Sequence, residues 1–517
     1  MKKATLLVMI MTIVSKFLGF GREMVFSYLY GVSVTTDAYL VSQTIPLAVF
    51  SFIASGVATG FVPMYSRILK EHSKPEADEF TSNLASALLL FASAVVVVVL
   101  IFARPIVKVF ASGFTGQTLI LAVRLTRISV FGVYFTGLVH IFTGYLRLYG
   151  NFIIPASIAL PLNLVIIGSL FVSSRTSVDV LALGTVLAPA SQLLLYLPFI
   201  RRTGYTYKPL LNLNDDYIKE MALVALPVVV GTAVHEVNVL IDKTLASTIA
   251  VGGISALNYA NRINGFVQGL FVVSVTTVLY PTISRMAANG DVDGFKARIT
   301  EAISMVSLLV VPSTVGAMVF SQEIVTLLFG RGAFNQDAVL MTGRAFFYYS
   351  LGTAACGLRD VSSSAFYALQ DTKTPMLNTT IGVALNIVLN VFLARLMGVG
   401  GLALATSVSG MISALLICRA LKKKIGAFGM RESAKSLVKI VVASILMGVT
   451  ARLCFRLLGR LVSANRALIM AVGIGVVVYS VLIYLARIPA VDRTVAVAKR
   501  QLRRFGRRSS ISHERSE

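Results

Sequence analysis

The stretch from Leu84 to Ala103, LASALLLFASAVVVVVLIFA, runs for 20 residues without a charged side chain. A helix of that length is about 30 Å long at 1.5 Å per residue, which matches the hydrocarbon core of a bilayer. The run is apolar on every face, so it offers neither the alternation of a half-buried strand nor the polar stripe of a soluble helix. Ala467–Leu485, ALIMAVGIGVVVYSVLIYL, has the same character. Working outward, the whole 517-residue chain is 56% hydrophobic and 14% charged, with a mean hydropathy of +0.81. Soluble domains hold roughly 45–50% apolar and 25% charged residues, so no soluble core could hide this surface. A membrane barrel would be written in alternating segments of about 10 residues, which are not seen here. The sequence predicts an all-α polytopic membrane protein.

Fourteen spans are expected, over residues 4–30, 36–65, 80–103, 119–146, 152–173, 178–200, 218–249, 254–284, 299–320, 338–370, 376–396, 399–421, 435–458 and 465–487. An even number puts both termini on one side. Arg67 and Lys70, Arg201 and Arg202, Lys296 and Arg298, Lys422–Lys424 and the Arg-rich tail all fall on the side of Lys2 and Lys3. The excess of Lys and Arg marks that side as cytoplasmic. Arg104, Lys108, Arg460 and Arg466 run against the rule. The net charge of +24 is thus a topological signal rather than a sign of nucleic-acid binding, and the tail fits anionic membrane lipid. Lys2-Lys3 before an apolar run resembles a leader, but Arg22 and Glu23 interrupt it and no small-x-small cleavage site follows, so it reads as the first span. Cys356, Cys418 and Cys454 lie in apolar stretches and read as small buried side chains.

The chain repeats itself. An offset of 218 sets Thr59, Pro63, Ser66 and Arg67 on Thr277, Pro281, Ser284 and Arg285, and an offset of 223 sets Asn163 on Asn386. Six spans separate the copies, so the halves share one orientation. The expected organisation is an N-terminal lobe over 1–216 (spans 1–6), a C-terminal lobe over 217–424 (spans 7–12), an extra helix pair over 425–490 and a basic cytoplasmic tail over 491–517. Alternating access then comes from rocking one lobe against the other.

Ionisable side chains within spans are costly, about 2.5–3.5 kcal/mol each at a helix centre on insertion scales, so they face a partner or a cavity. Lys16, Arg22 and Glu23 lie in span one, Asp37 opens span two, Glu236, Asp242 and Lys243 lie in span seven, Arg262 in span eight, and Arg344, Arg359 and Asp360 in span ten. Arg22 and Arg262 occupy comparable places in the two halves, and a guanidinium suits phosphate oxygens. An anionic substrate is one reading; an ion pair between Arg22 and Glu23 or Asp37 is the other. Asn386 and Asn390 share a helix face, Thr406 lies in the next span, and Asp242 adds a carboxylate. Those oxygens suit a small coupling cation, and equally they suit hydrogen bonds between helices. No HExxH, nucleophile elbow or GxxxxGK[ST] loop occurs, so neither an enzyme nor an ATP-driven pump is expected, and no cofactor is implied beyond a coupling ion.

Several strings carry a family resemblance: "SKFLGFGREMVF", "TTDAYLV" and "FVPMYSR" near the start, "GYLRLYGNFIIPASIALPLNLVIIG" before span five, "ISALNYANRINGFVQGLFVVSVTTVLYPTIS" in span eight and "SSSAFYALQDTKTP" before span eleven. The chain resembles the MurJ (MviN) lipid II flippases of the multidrug/oligosaccharidyl-lipid/polysaccharide (MOP) exporter superfamily over essentially its whole length. The resemblance implies a MATE-like fold of two six-helix lobes plus a C-terminal pair, in a bacterial plasma membrane. It implies translocation of undecaprenyl-diphosphate-linked peptidoglycan precursor, lipid II, from inner to outer leaflet, driven by a cation or the membrane potential, with cell-wall synthesis proteins as further partners. A flippase for another polyprenyl-linked saccharide and a cation-coupled multidrug exporter are the alternatives. Residue by residue, Arg22 and Arg262 match the family's head-group arginines and Asp37 its span-two aspartate, with Lys16 and Glu23 beside them. Asp242, Asn386, Asn390 and Thr406 match positions of a sodium site, with Asn390 standing where some relatives have Asp. An Arg pair that some members carry in span two is replaced here by Val49, Phe50 and Ser51. Spans thirteen and fourteen would offer a groove for the polyprenyl tail, with Gly473 and Gly475 leaving room.

Overall fold

With no water in the hydrocarbon region, every backbone N–H and C=O of a spanning segment must find its partner within the protein, which favours helices. The computed structural model describes residues 2–427 and 429–488. Among the described residues there are seventeen helices and no strand. They are α1 (Lys2–Tyr30), α2 (Val34–Glu71), α3 (Lys74–Phe110), α4 (Gly116–Ser129), α5 (Gly132–Leu148), α6 (Ile153–Ser157), α7 (Ala159–Ser173), α8 (Asp179–Arg202), α9 (Asp216–Ile249), α10 (Gly253–Ala288), α11 (Val292–Val319), α12 (Ser321–Phe329), α13 (Gln336–Ala368), α14 (Lys373–Met397), α15 (Val399–Ile425), α16 (Met430–Leu458) and α17 (Ala464–Leu485). The basic tail expected over 491–517 lies outside the described residues.

Among the described residues eleven helical stretches are each long and apolar enough to cross a membrane, and α4 with α5, bent by 44°, makes a twelfth if the pair is one span. Helices α1 and α13, which hold much of the intramembrane charge, overlie the expected spans 4–30 and 338–370 but are less uniformly apolar, so the described residues give about twelve to fourteen spans. Helix α3 shows why the apolar pattern is uniform. Ala92, Val96, Val99 and Ala103 are buried along one stripe, yet Val97, Val98 and Ile101 on the other side are at least half exposed. Both faces meet an apolar medium, one being protein and the other lipid. The helix kinks at Phe102 (φ −101°, ψ 22°), three residues before Pro105, whose ring clashes with the preceding turn.

The helices form two compact units. The first holds the described residues up to Tyr259 together with Leu328–Thr342 and Ile387–Leu402; the second holds Ala260–Leu327, Gly343–Asn386 and the described residues from Ala403 onward. The divisions fall inside helices.

In the first unit α2 packs along α9 and against α4 and α5. Its core joins Phe61, Tyr65, Phe80, Tyr145 and Tyr196. The Tyr65 and Tyr145 hydroxyls donate to Asp78 Oδ1 at 2.9 and 3.1 Å, so these rings are buried without losing their polar partners. Arg67 reaches α9 through two parallel bonds to Glu220, at 2.6 and 2.8 Å. The connector after α8 is stitched to α3. Asn83 accepts from the Asn212 N–H at 2.7 Å and donates to the Asn212 carbonyl at 3.0 Å, the Ser82 and Ser86 hydroxyls meet those of Tyr205 and Tyr207 at 2.9 and 2.8 Å, and Lys208 pairs with Glu79 at 2.5 Å. Asp215 then caps α9 by accepting from Tyr217 N–H at 2.8 Å.

In the second unit, Val306, Val310, Phe366 and Leu421 anchor one core, and α16 lies between α11 and α17. Helix α11 ends at Phe320 (φ −117°, ψ 26°), and the turn into α12 is held by Arg452 of α16, which pairs with Glu323 between the rings of Phe320 and Phe455. Gly475 of α17 lies close to Ala451 and Met447 of α16, whereas Gly473 has open space around it.

Candidate functional site

The first unit holds Lys16, Arg22, Glu23, Asp37, Asp242, Lys243 and Asn390, and Asp37 lies at its α1–α2 turn. Gly31 makes that turn with φ +58°, and a Cβ there would lie 2.2 Å from the Ala333 carbonyl oxygen, so only glycine fits. Ser33 caps α2, accepting from Thr36 N–H at 3.2 Å. One turn on, Asp37 is 2% exposed and its carboxylate accepts three hydrogen bonds, from Gly252 N–H (2.8 Å), Ser255 N–H (2.8 Å) and Ser255 O–H (2.7 Å). Those N–H groups belong to the start of α10, where no intrahelical acceptor exists. Asp37 therefore caps α10 from a neighbouring helix, and its described bonds all point inward. In the same region the Tyr259 hydroxyl donates to the Gly31 carbonyl at 3.3 Å.

Arg22 and Glu23 form an ion pair at 2.6 Å, the Glu23 side chain 8% exposed and that of Arg22 20%. Both readings of Arg22 are thus present in its geometry: it has a carboxylate partner, and it keeps an accessible edge. Lys16, two turns earlier on α1, is exposed. Val49, one of the positions that depart from the family pattern, lines an apolar groove with Ile45 of α2 and Phe91, Val95 and Val98 of α3.

The candidate ion ligands divide between the units. In the first, Asn390 Nδ2 donates to Asp242 Oδ1 at 2.6 Å, and Asn390 is completely buried. Lys243 is adjacent in sequence, but its ammonium donates to the Thr44 hydroxyl and the Leu40 carbonyl on α2. In the second, Asn386 Nδ2 donates to Thr406 Oγ1 at 3.3 Å. Arg262 also belongs to the second unit and is exposed; two residues on, Asn264 accepts from the Thr353 hydroxyl at 2.5 Å, fastening α10 to α13. Arg359 and Asp360, consecutive on α13, pair at 3.0 Å.

Sequence reasoning missed Ser255, whose amide and hydroxyl both serve Asp37, because a serine near a glycine carries no signal until the caps are known. It also missed Asn238 on α9, whose Oδ1 is shut off from solvent and has no hydrogen-bond partner among the described residues. Its spacing of four from Asp242 was the available clue. Among the described residues no three His, Cys, Asp or Glu side chains cluster as metal ligands.

Comparison with known proteins gives the family. The model of "Lipid II flippase MurJ" matches residues 26–472. A lipid II flippase MurJ of Burkholderia cenocepacia is 30% identical over 437 residues, 82% of this chain and 84% of the relative. A probable lipid II flippase MurJ of Thermotoga maritima is 29% identical over 479 residues, 92% and 95% of the two chains. Among solved structures, a lipid II flippase MurJ in an inward closed conformation superposes with a TM-score of 0.80 at 26% identity, covering 92% of this chain and 98% of that one. A multidrug resistance MATE-family transporter of the MOP superfamily, at 15% identity, shares the fold with a TM-score of 0.68. The chain belongs to the lipid II flippase MurJ family, multi-pass transporters of the bacterial inner membrane rather than enzymes.

Proposed function

We propose that this protein carries lipid II from the inner to the outer leaflet by alternating access, with both termini in the cytoplasm. The family match over residues 26–472 carries this reading. Two chemical features support it. The spans hold arginines, Arg22 in the first unit and Arg262 in the second, and a guanidinium binds a diphosphate through forked, charge-assisted hydrogen bonds. Arg22 is held 2.6 Å from Glu23, so a phosphate has to compete with a carboxylate for it, which favours release after transfer. Asp37, occupied by the start of α10, positions these elements rather than touching the head group.

For coupling, we infer a small monovalent cation at Asp242 and Asn390. One carboxylate and one amide oxygen balance a single positive charge, and oxygen ligands suit a hard cation. Such an ion supplies energy from its gradient. In the second unit Asn386 and Thr406 form an amide–hydroxyl pair whose part is tested by Thr406→Val.

The test is transport itself. Purified protein in vesicles should move lipid II to the opposite leaflet, and Arg22→Ala or Arg262→Ala, shown to be folded and inserted, should slow it at least tenfold. Wild-type rates in both variants end the phosphate-clamp reading. Equal movement of an undecaprenyl carrier bearing a different saccharide would replace lipid II with a broader substrate class. Labelling of cysteines placed at Lys2 and near Lys423 from the cytoplasmic side only is the expected orientation.

A further inference from the structure

Helix α9 crosses the membrane with three polar side chains on one stripe, at His235, Asn238 and Asp242, spaced by three and four residues. His235 is exposed at one end, and Asp242 meets Asn390 at the other. Between them, the Asn238 amide oxygen is buried without a partner among the described residues. Buried polar atoms are nearly always satisfied, so an orphaned acceptor beside a carboxylate requires an explanation. A cation bound between these oxygens supplies one.

We propose that Asn238 is a ligand of the coupling cation, its Oδ1 joining the oxygens of Asp242 and Asn390. This rests on the cation reading given above and adds a residue to it. Residues four apart on a helix have Cβ atoms about 5–6 Å apart, which lets two short oxygen-bearing side chains meet one ion. The Lys243 ammonium, next in sequence to Asp242, donates to the Thr44 hydroxyl and the Leu40 carbonyl on α2. All three ligands belong to the first unit. The added oxygen is neutral, so the site keeps a single negative charge and takes a monovalent rather than a divalent ion. Asn238 also accounts for how this chain holds an ion with an amide, Asn390, where a second carboxylate would have strengthened the site: a third oxygen stands in for the missing charge.

The experiment follows thermal unfolding of the full-length protein in detergent at pH 8, titrating sodium chloride against choline chloride at constant ionic strength, which reads binding without reading transport. Wild type should be stabilised by sodium with a saturable midpoint. Asn238→Leu, near in volume but without the oxygen, and Asn238→Ala should raise that midpoint about tenfold, the value of one lost contact to an ion, while unfolding in choline stays near wild type. Asn238→Asp restores an oxygen and should bring the midpoint to or below the wild-type value. A wild-type midpoint in Asn238→Leu overturns the assignment of Asn238 and leaves the cation reading intact. Wild-type protein that unfolds identically in sodium and choline overturns the cation reading and this inference together. If Asn238→Leu and Asn238→Ala do not fold, Asn238→Asp decides, since an unchanged midpoint despite an added charge places the ion elsewhere.

Discussion

At the scale of single residues, the sequence announced which side chains were out of place in a membrane but not what each was doing there. Arg22 and Asp37 looked alike as intramembrane charges. Their geometry separates them, since Arg22 keeps an exposed edge while Asp37 is enclosed by three donors from the start of α10. Caps of this kind are not legible in sequence, because residues 37 and 252–255 are brought together only by the fold. Hydrogen bonds to a charged group contribute about 1.5–3 kcal/mol each, so Asp37→Ala, which strands two backbone donors, should cost roughly 3 kcal/mol or more. The loss is read as a lower unfolding temperature in detergent. Asp37→Asn keeps an acceptor and should retain well over half of the stability.

At the scale of elements, apolar length located the spans well, since a long charge-free run has few alternatives to a spanning helix. Breaks inside runs were harder. The expected span 119–146 divides into α4 and α5 at Val130–Phe131, where no proline or charge signals the change, whereas the expected span 299–320 does end where α11 gives way to α12. The repeat is more informative when set on the helices. An offset of 218 pairs Phe61 and Tyr65 with Leu279 and Ile283, each buried in the core of its own unit, and the paired Asn163 and Asn386 are each 3% exposed. Close helix approach gives a second prediction. A Cβ on Gly352 of α13 would lie 2.7 Å from the Ser407 Cα on α15, so Gly352→Ala must push these helices apart, at a cost of about 1–3 kcal/mol. Its unfolding temperature should fall, and Ser407→Gly should recover part of the loss.

The start of α14 carries a pH signature outside the spans. The Lys424 ammonium and the Thr374 amide and hydroxyl hold the Asp371 carboxyl down at about 2, from an ordinary value of 3.8. A carboxylate with a depressed folded value stabilises the fold above its unfolded value, and that contribution is lost as the pH falls from about 4 through about 2. Hydrogen exchange at the first turn of α14 should therefore quicken across that window in the wild type. In Asp371→Asn it should be fast already at neutral pH and change little on acidification.

For the whole molecule, composition and length gave the class, and the resemblance of strings such as "FYALQDTKTP" gave the family that the match over 26–472 supports. The division into compact units was not readable, because it falls within α10, α12, α13, α14 and α15, where hydropathy is continuous. Contacts between distant parts of the chain decide it. The clearest case is α9, which follows the connector at 203–215 and so looks like the first helix of a second half, yet packs along α2 in the first unit.

The stitched connector has a mechanical meaning. Asn83 grips Asn212 from both sides, two serines hold two tyrosines, and Lys208 and Asp215 fix the ends, so the polypeptide bond between Leu210 and Leu211 bears little of the load that keeps α9 in place. Both leucines are exposed, at 41% and 53%. A protease site inserted between them should be cut cleanly in the folded protein. The two pieces should then travel together through size-exclusion chromatography in detergent, with an unfolding temperature within a few degrees of the intact chain. Separation of the pieces would show that covalent continuity, rather than side-chain stitching, holds the protein together at this point. If they stay together, the backbone here is redundant, and the side chains of α3 and the connector do the work of a covalent bond.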